Sequence, residues 1–153
     1  MIETLDLFEA HLTVSDVARA TDFYTGRLGL TLAYTVKGEA AFLWIGSPGQ
    51  AMLGLWRSSA PQQMILHVAF RATVQAVTEA PATLRAAGIT PLDFDGHETD
   101  EACVLAWMPA VSIYFRDPDG HLLEYVAMLA QQPRPDLGVV PLSRWNALPQ
   151  RPG

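Results

Sequence analysis

The chain has 153 residues, half of them hydrophobic (50%) and only 17% charged, so it has the apolar content of a folded domain and not of a disordered one. Sixteen acids against ten bases give a net charge of −6, and Lys37 is the only lysine, a surface that repels a phosphate backbone and excludes a nucleic-acid binder. Cys103 is the single cysteine, which excludes a disulfide framework and a thiolate zinc site and fits a reducing compartment. The first ten residues carry three acids and no base, unlike a signal peptide, and no apolar run approaches the roughly 20 residues of a membrane span. The expectation is a cytoplasmic protein with no nucleic-acid or membrane partner.

Two stretches open alike, His11-Leu12-Thr13-Val14 and His67-Val68-Ala69-Phe70. Each is a short β-rich run holding a histidine, followed by a helical stretch that ends at a glycine, Gly29 or Gly88, and then by strand-like runs. The first half reads β-α-β-β-β. Residues 8–14 form a strand. Ser15 or Asp16 caps a helix with Val17, Ala20, Tyr24 and Leu28 on one face. Strands follow at 30–36, 40–45 and 51–56, separated by turns at Lys37-Gly38 and Ser47-Pro48-Gly49.

Residues 58–63 are a polar linker. The second half repeats the order, with a strand at 66–70 and a helix at 73–87 that contains Pro81. A short strand is expected at 89–94, an acidic loop at 95–100, and strands at 102–107, 111–115 and 122–128. Asp117-Pro118-Asp119-Gly120 is a turn. The organisation is therefore a module at 6–57, a second at 64–129, and a tail at 130–153 with five prolines (Pro133, Pro135, Pro141, Pro149, Pro152), which Leu142 and Trp145 would pin to the body.

Three residues carry the chemistry: His11 and His67, each in the first strand of its repeat, and Glu124 in the last strand. Their neighbours are apolar, and a carboxylate in such a strand is costly to bury unless paired or bound to a metal. Two imidazoles and one carboxylate leave open positions on a divalent ion. Each residue also has an ordinary reading: a strand histidine packs in a core or along an edge, and Glu124 faces solvent on an edge strand. Tyr114 lies across a hairpin turn from Glu124 and reaches the same site, or packs as a strand residue. Thr13 shares a strand face with His11. His121 is read as a turn residue or as a support behind a ligand, His97 as solvated, Cys103 as a small core residue. Aligning Gly49 with Gly120 sets Leu53 opposite Glu124. Neither Leu53 nor Gly54, Leu55 or Trp56 can bind a metal, so the site has three protein ligands. Phosphate-loop, dinucleotide-binding, nucleophile-elbow and His-Glu-x-x-His signatures are absent.

The chain resembles the vicinal oxygen chelate superfamily of glyoxalases, bleomycin-resistance proteins and extradiol dioxygenases. The resemblance rests on His11-Leu12-Thr13-Val14-Ser15-Asp16, Phe23-Tyr24, Leu28-Gly29-Leu30 and the run from Ser112 through Asp117-Pro118-Asp119-Gly120 to Glu124, and covers residues 6–129. It implies an α+β fold of two paired β-α-β-β-β modules, forming a cupped mixed sheet around a divalent metal (Fe, Mn, Zn or Ni). It implies His11, His67 and Glu124 as ligands, Tyr114 and Thr13 as catalytic residues, a small-molecule substrate chelating through neighbouring oxygens, and a homodimer. A metal-free drug-binding protein of the same fold is the alternative.

The chain departs from each named relative. Glyoxalase I uses a fourth ligand where this chain has Leu53. Fosfomycin transferases carry an arginine where this chain has Pro133, and basic residues where it has the acidic run from His97 to Glu101. Extradiol enzymes place an acid–base histidine near Ala106 or Trp107, and none is there.

Overall fold

The structure is a computed structural model that describes residues 5–60 and 64–149. Part of the expected linker (61–63) and the end of the tail (150–153) lie outside the described residues. The chain folds as two compact units, Met1–Leu66 with Asp117–Gly120, and His67–Arg116 with His121–Gly153.

The first unit holds a four-stranded sheet in the order β1-β4-β3-β2. Its strands are β1 (Glu9–Val14), β2 (Thr31–Val36), β3 (Ala40–Ile45) and β4 (Ala51–Arg57). β1 and β4 are parallel, and the other pairs antiparallel. The alternation expected of a half-buried strand is plain in β1, where Leu12 and Val14 are buried and His11 and Thr13 are exposed. Helix α1 (Val17–Asp22) packs on β3 and β4 and runs on into a π-helical turn over Phe23–Arg27. Asp16 is its cap, accepting from the Arg19 amide at 3.0 Å. Leu12, Val14, Tyr24, Leu43, Leu53 and Leu55 form the core of this unit. Each fully buried aliphatic side chain contributes about 1.5–3 kcal/mol relative to exposure.

The second unit repeats the order. Its sheet runs β5-β8-β7-β6-β9, from β5 (His67–Arg71), β6 (Cys103–Leu105), β7 (Ala110–Arg116), β8 (Leu122–Met128) and β9 (Val139–Pro141). β5 and β8 are parallel, as β1 and β4 are. Helix α2 (Val74–Ala86) covers β7 and β8, is capped by Thr73, and keeps Pro81 buried within it. The mixed α+β architecture of two β-α-β-β-β modules is thus present in both halves.

Two details differ from the expected elements. Residues 89–94 make no ladder; Leu92 alone bridges to Tyr114 and Glu98. The Asp93 carboxylate accepts the amides of Asp95 and His97, each at 2.9 Å, and turns the chain away. The tail also adds a strand that was not expected. After a 3₁₀ turn (Pro135–Leu137) its residues 139–141 pair with β6, and the short helix α3 (Leu142–Asn146) buries Trp145. No helix among the described residues is long and apolar enough to cross a membrane.

Candidate functional site

The second unit brings three of the expected residues together. In the parallel β5–β8 pair His67 stands beside Leu122 and Ala69 beside Glu124. The His67 Nε2 lies 2.9 Å from Glu124 Oε2. Tyr114 stands directly across the β7–β8 ladder from Glu124, with its ring 6.1 Å from that of His67 and edge-on to Phe94. Glu124 and Tyr114 are buried, while nearly half of the His67 side chain (46%) is open to solvent. Burial, and then the charge of Glu124, push the Tyr114 phenol well above its ordinary range, so it stays protonated and serves as a donor. The same two causes push the Cys103 thiol up to about 11, which leaves it inert at neutral pH.

His67 and Glu124 offer donor types that a divalent ion takes, an imidazole nitrogen and a carboxylate oxygen, and their 2.9 Å separation is that of a hydrogen bond.

The first unit places His11 on the exposed face of β1, with Glu9 and Thr13 on the same face. Its Nε2 lies 3.0 Å from Glu9 Oε1. The ring sits over Gly54, its partner on β4: a Cβ at Gly54 would come within 2.6 Å of His11 Cδ2 and 3.2 Å of Trp56 Nε1. Phe42 and Trp56 flank the imidazole, with ring centres at 6.2 and 5.7 Å. Tyr34 adds to this aromatic face through Phe42, with ring centres 6.4 Å apart.

The ladders also correct the alignment of the two halves. Thr13 pairs with Trp56 as Ala69 pairs with Glu124, so Trp56, not Leu53, is the counterpart of Glu124. Leu53 is fully buried in the core. Trp56 offers no metal donor, so the absence of a ligand at this place stands on the corrected residue.

The Asp-Pro-Asp-Gly turn is structural. The Tyr24 hydroxyl donates to Asp117 Oδ2 at 2.9 Å, and Asp117 Oδ1 accepts the Asp119 amide. Asp119 Oδ1 accepts from the Ser15 amide and hydroxyl and from Arg19. His121, read as a turn residue, is completely buried. His97 is exposed as expected, and with Asp93 and Asp95 it forms a group whose donor atoms lie within 4.8 Å of one another. In the acidic loop, Glu98 and Asp100 are tied to Arg85 of α2.

Two β-α-β-β-β units, each opening on a strand histidine, define a paired-module α+β protein. The chain belongs to the Glyoxalase/Bleomycin resistance protein/Dioxygenase superfamily, whose family model matches residues 5–125. Among solved structures it is similar to an integron cassette protein from the mobile metagenome of the Halifax Harbour sewage outfall, at 29% identity and a TM-score of 0.68, over 80% of this chain and 98% of that one. It is similar in fold to the lactoylglutathione lyase of Agrobacterium tumefaciens, at 22% identity, a TM-score of 0.62, and coverage of 79% and 92%. The same holds for a glyoxalase/bleomycin resistance protein/dioxygenase from Nocardioides, at 24% identity, a TM-score of 0.64, and coverage of 87% and 89%. No curated protein sequence matches the chain.

Proposed function

We propose that the chain is a metal-dependent enzyme acting on a small molecule with two neighbouring oxygens. His11, His67 and Glu124 would hold the divalent ion, which when bound polarises a chelated oxygen. The observation that carries the reading is the His67–Glu124 pair at 2.9 Å with Tyr114 directly across the ladder. Tyr114, held protonated, donates a hydrogen bond or a proton to an oxygen that gains charge. Thr13, two residues from His11 on the same strand face, hydrogen-bonds a substrate oxygen. The aromatic face of half-buried Phe42 with the exposed Tyr34 and Trp56 receives the apolar part of the molecule. The protein acts as a cytoplasmic homodimer.

The test is metal analysis of protein purified without chelator or nickel resin, followed by turnover assays with catechols and with 2-oxoaldehydes plus thiols. Metal-free protein that also fails to bind added Fe²⁺, Mn²⁺, Zn²⁺ or Ni²⁺ would overturn the reading. A second reading, a metal-free binder of small molecules, is favoured by the aromatic face alone. Tight binding of an aromatic ligand by metal-free protein, without turnover, is its signature.

A further inference from the structure

We propose that a cavity in the second unit, between the acidic loop and the tail strand β9, binds an organic cation: an ammonium group on a short apolar or aromatic body. The inference is independent of the metal reading above. The cavity has a volume of about 240 Å³ and is lined by this unit alone. That is under the roughly 300–1,000 Å³ of a pocket for a drug-sized ligand, so its occupant is small. The loop contributes Asp93, Phe94, Asp95 and Glu101 to the lining. Cys103 of β6 and Val140 of β9 add buried apolar surface. Of the residues that line the cavity, three are acidic and none is basic.

The acids of this loop fall into two groups. Glu98 and Asp100 are paired with Arg85 of α2. The acids on the cavity are held mainly by neutral donors. Asp93 Oδ1 accepts the amides of Asp95 and His97, and its Oδ2 lies 3.6 Å from the exposed His97 ring. Glu101 accepts the Ser143 amide and hydroxyl at 3.1 and 3.2 Å, which ties the start of α3 to the loop. Amide and hydroxyl donors fix where a carboxylate sits without cancelling its charge. An ammonium group complements that charge, an anion is repelled by it, and a neutral molecule gains nothing from it. Phe94 adds a second attraction. It is 54% exposed, its ring packs edge-on with Tyr114, and it lines the cavity beside the carboxylates. A cation close to an aromatic face is stabilised by the ring itself.

The experiment titrates the full-length protein with phenethylamine at neutral pH by calorimetry, and with 2-phenylethanol, which has the same body without the charge. Amide shifts in nitrogen-15 spectra locate the binding. The same titrations are run on Asp95→Asn, Phe94→Leu and Glu98→Gln, each checked for fold by circular dichroism. The expected result is a phenethylamine dissociation constant below about 1 mM, at least several times tighter than that of the alcohol. The shifts should centre on Phe94, Cys103 and Val140. Asp95→Asn and Phe94→Leu should each weaken binding severalfold, while Glu98→Gln, which removes the same charge outside the cavity, should leave it unchanged. Equal binding of amine and alcohol, shifts centred elsewhere, or equal loss in Glu98→Gln and Asp95→Asn would overturn the proposal. So would uptake of Zn²⁺ that is lost in His97→Ala while phenethylamine fails to bind, which would make the loop a metal site.

Discussion

The Tyr24 hydroxyl and the Asp117 carboxylate, 93 residues apart in sequence, are joined by a buried 2.9 Å hydrogen bond. Close by, Ser15 and Arg19 hold Asp119 of the same turn. The most recognisable piece of sequence in this chain is therefore a clasp on the first unit and not a part of the chemistry. Removing the Tyr24 hydroxyl takes one hydrogen bond from a buried carboxylate. Tyr24→Phe should cost about 1–3 kcal/mol in urea unfolding, with metal binding unchanged.

Asp119 gives the clasp a pH dependence. Burial works against its charge, but the Ser15 hydrogen bonds and Arg19 outweigh that and hold the carboxyl below its usual range. A carboxylate with a lowered folded pKa stabilises the protein above its unfolded pKa of about 3.9, and that contribution is lost as pH falls through the folded value. Melting temperature should therefore fall as pH drops below about 4. Asp119→Asn should be less stable at neutral pH and lose less of its stability in acid.

One divalent ion is expected per chain. His67→Ala and Glu124→Ala should abolish binding, measured by elemental analysis after dialysis. His97→Ala should keep it, because His97 is exposed and belongs to the separate group with Asp93 and Asp95. Equal loss in all three variants would contradict the assignment.

Gly54→Ala separates the site from the fold. The added Cβ would meet His11 Cδ2 at 2.6 Å, and the half-exposed imidazole can swing away at little cost to the core. The expected outcome is a melting temperature within a few degrees of the native protein and a metal affinity lowered about ten- to a hundredfold.

Neither glyoxalase I nor fosfomycin activity is expected. The strand position that would carry a fourth ligand opposite Glu124 holds Trp56. Around a phosphonate the chain offers Pro133 where an arginine is needed, and Glu98 and Asp100 already occupy Arg85. Each missing charge-assisted hydrogen bond costs roughly 1.5–3 kcal/mol. Metal-loaded protein should turn over methylglyoxal with glutathione, and fosfomycin with glutathione or cysteine, at well below about 10⁴ M⁻¹s⁻¹.

Much of the site is legible in the sequence because strand periodicity fixes faces. His11 with Thr13, and Tyr114 with Glu124, follow from alternation and a hairpin turn. The register between parallel strands is not legible. β1 and β4 are joined through a long crossover, so no turn sets their offset, and alignment by turn glycines selects Leu53 in place of Trp56. The strand expected at 89–94 fails for a side-chain reason, the capture of two amides by Asp93, which hydrophobic pattern does not record. β9 is hidden by Pro141, which sits at the end of an edge strand where a missing amide is tolerated.

That last strand breaks the symmetry of the duplicated modules. β6 is the counterpart of β2, and β9 lies along its outer side. In the first sheet β2 is itself the border, with Leu32, Tyr34 and Val36 turned outward. A border strand with apolar side chains is a template for adding another strand. The two sheets therefore differ at this border: the tail covers β6, while among the described residues β2 keeps its outer backbone groups open to a further strand.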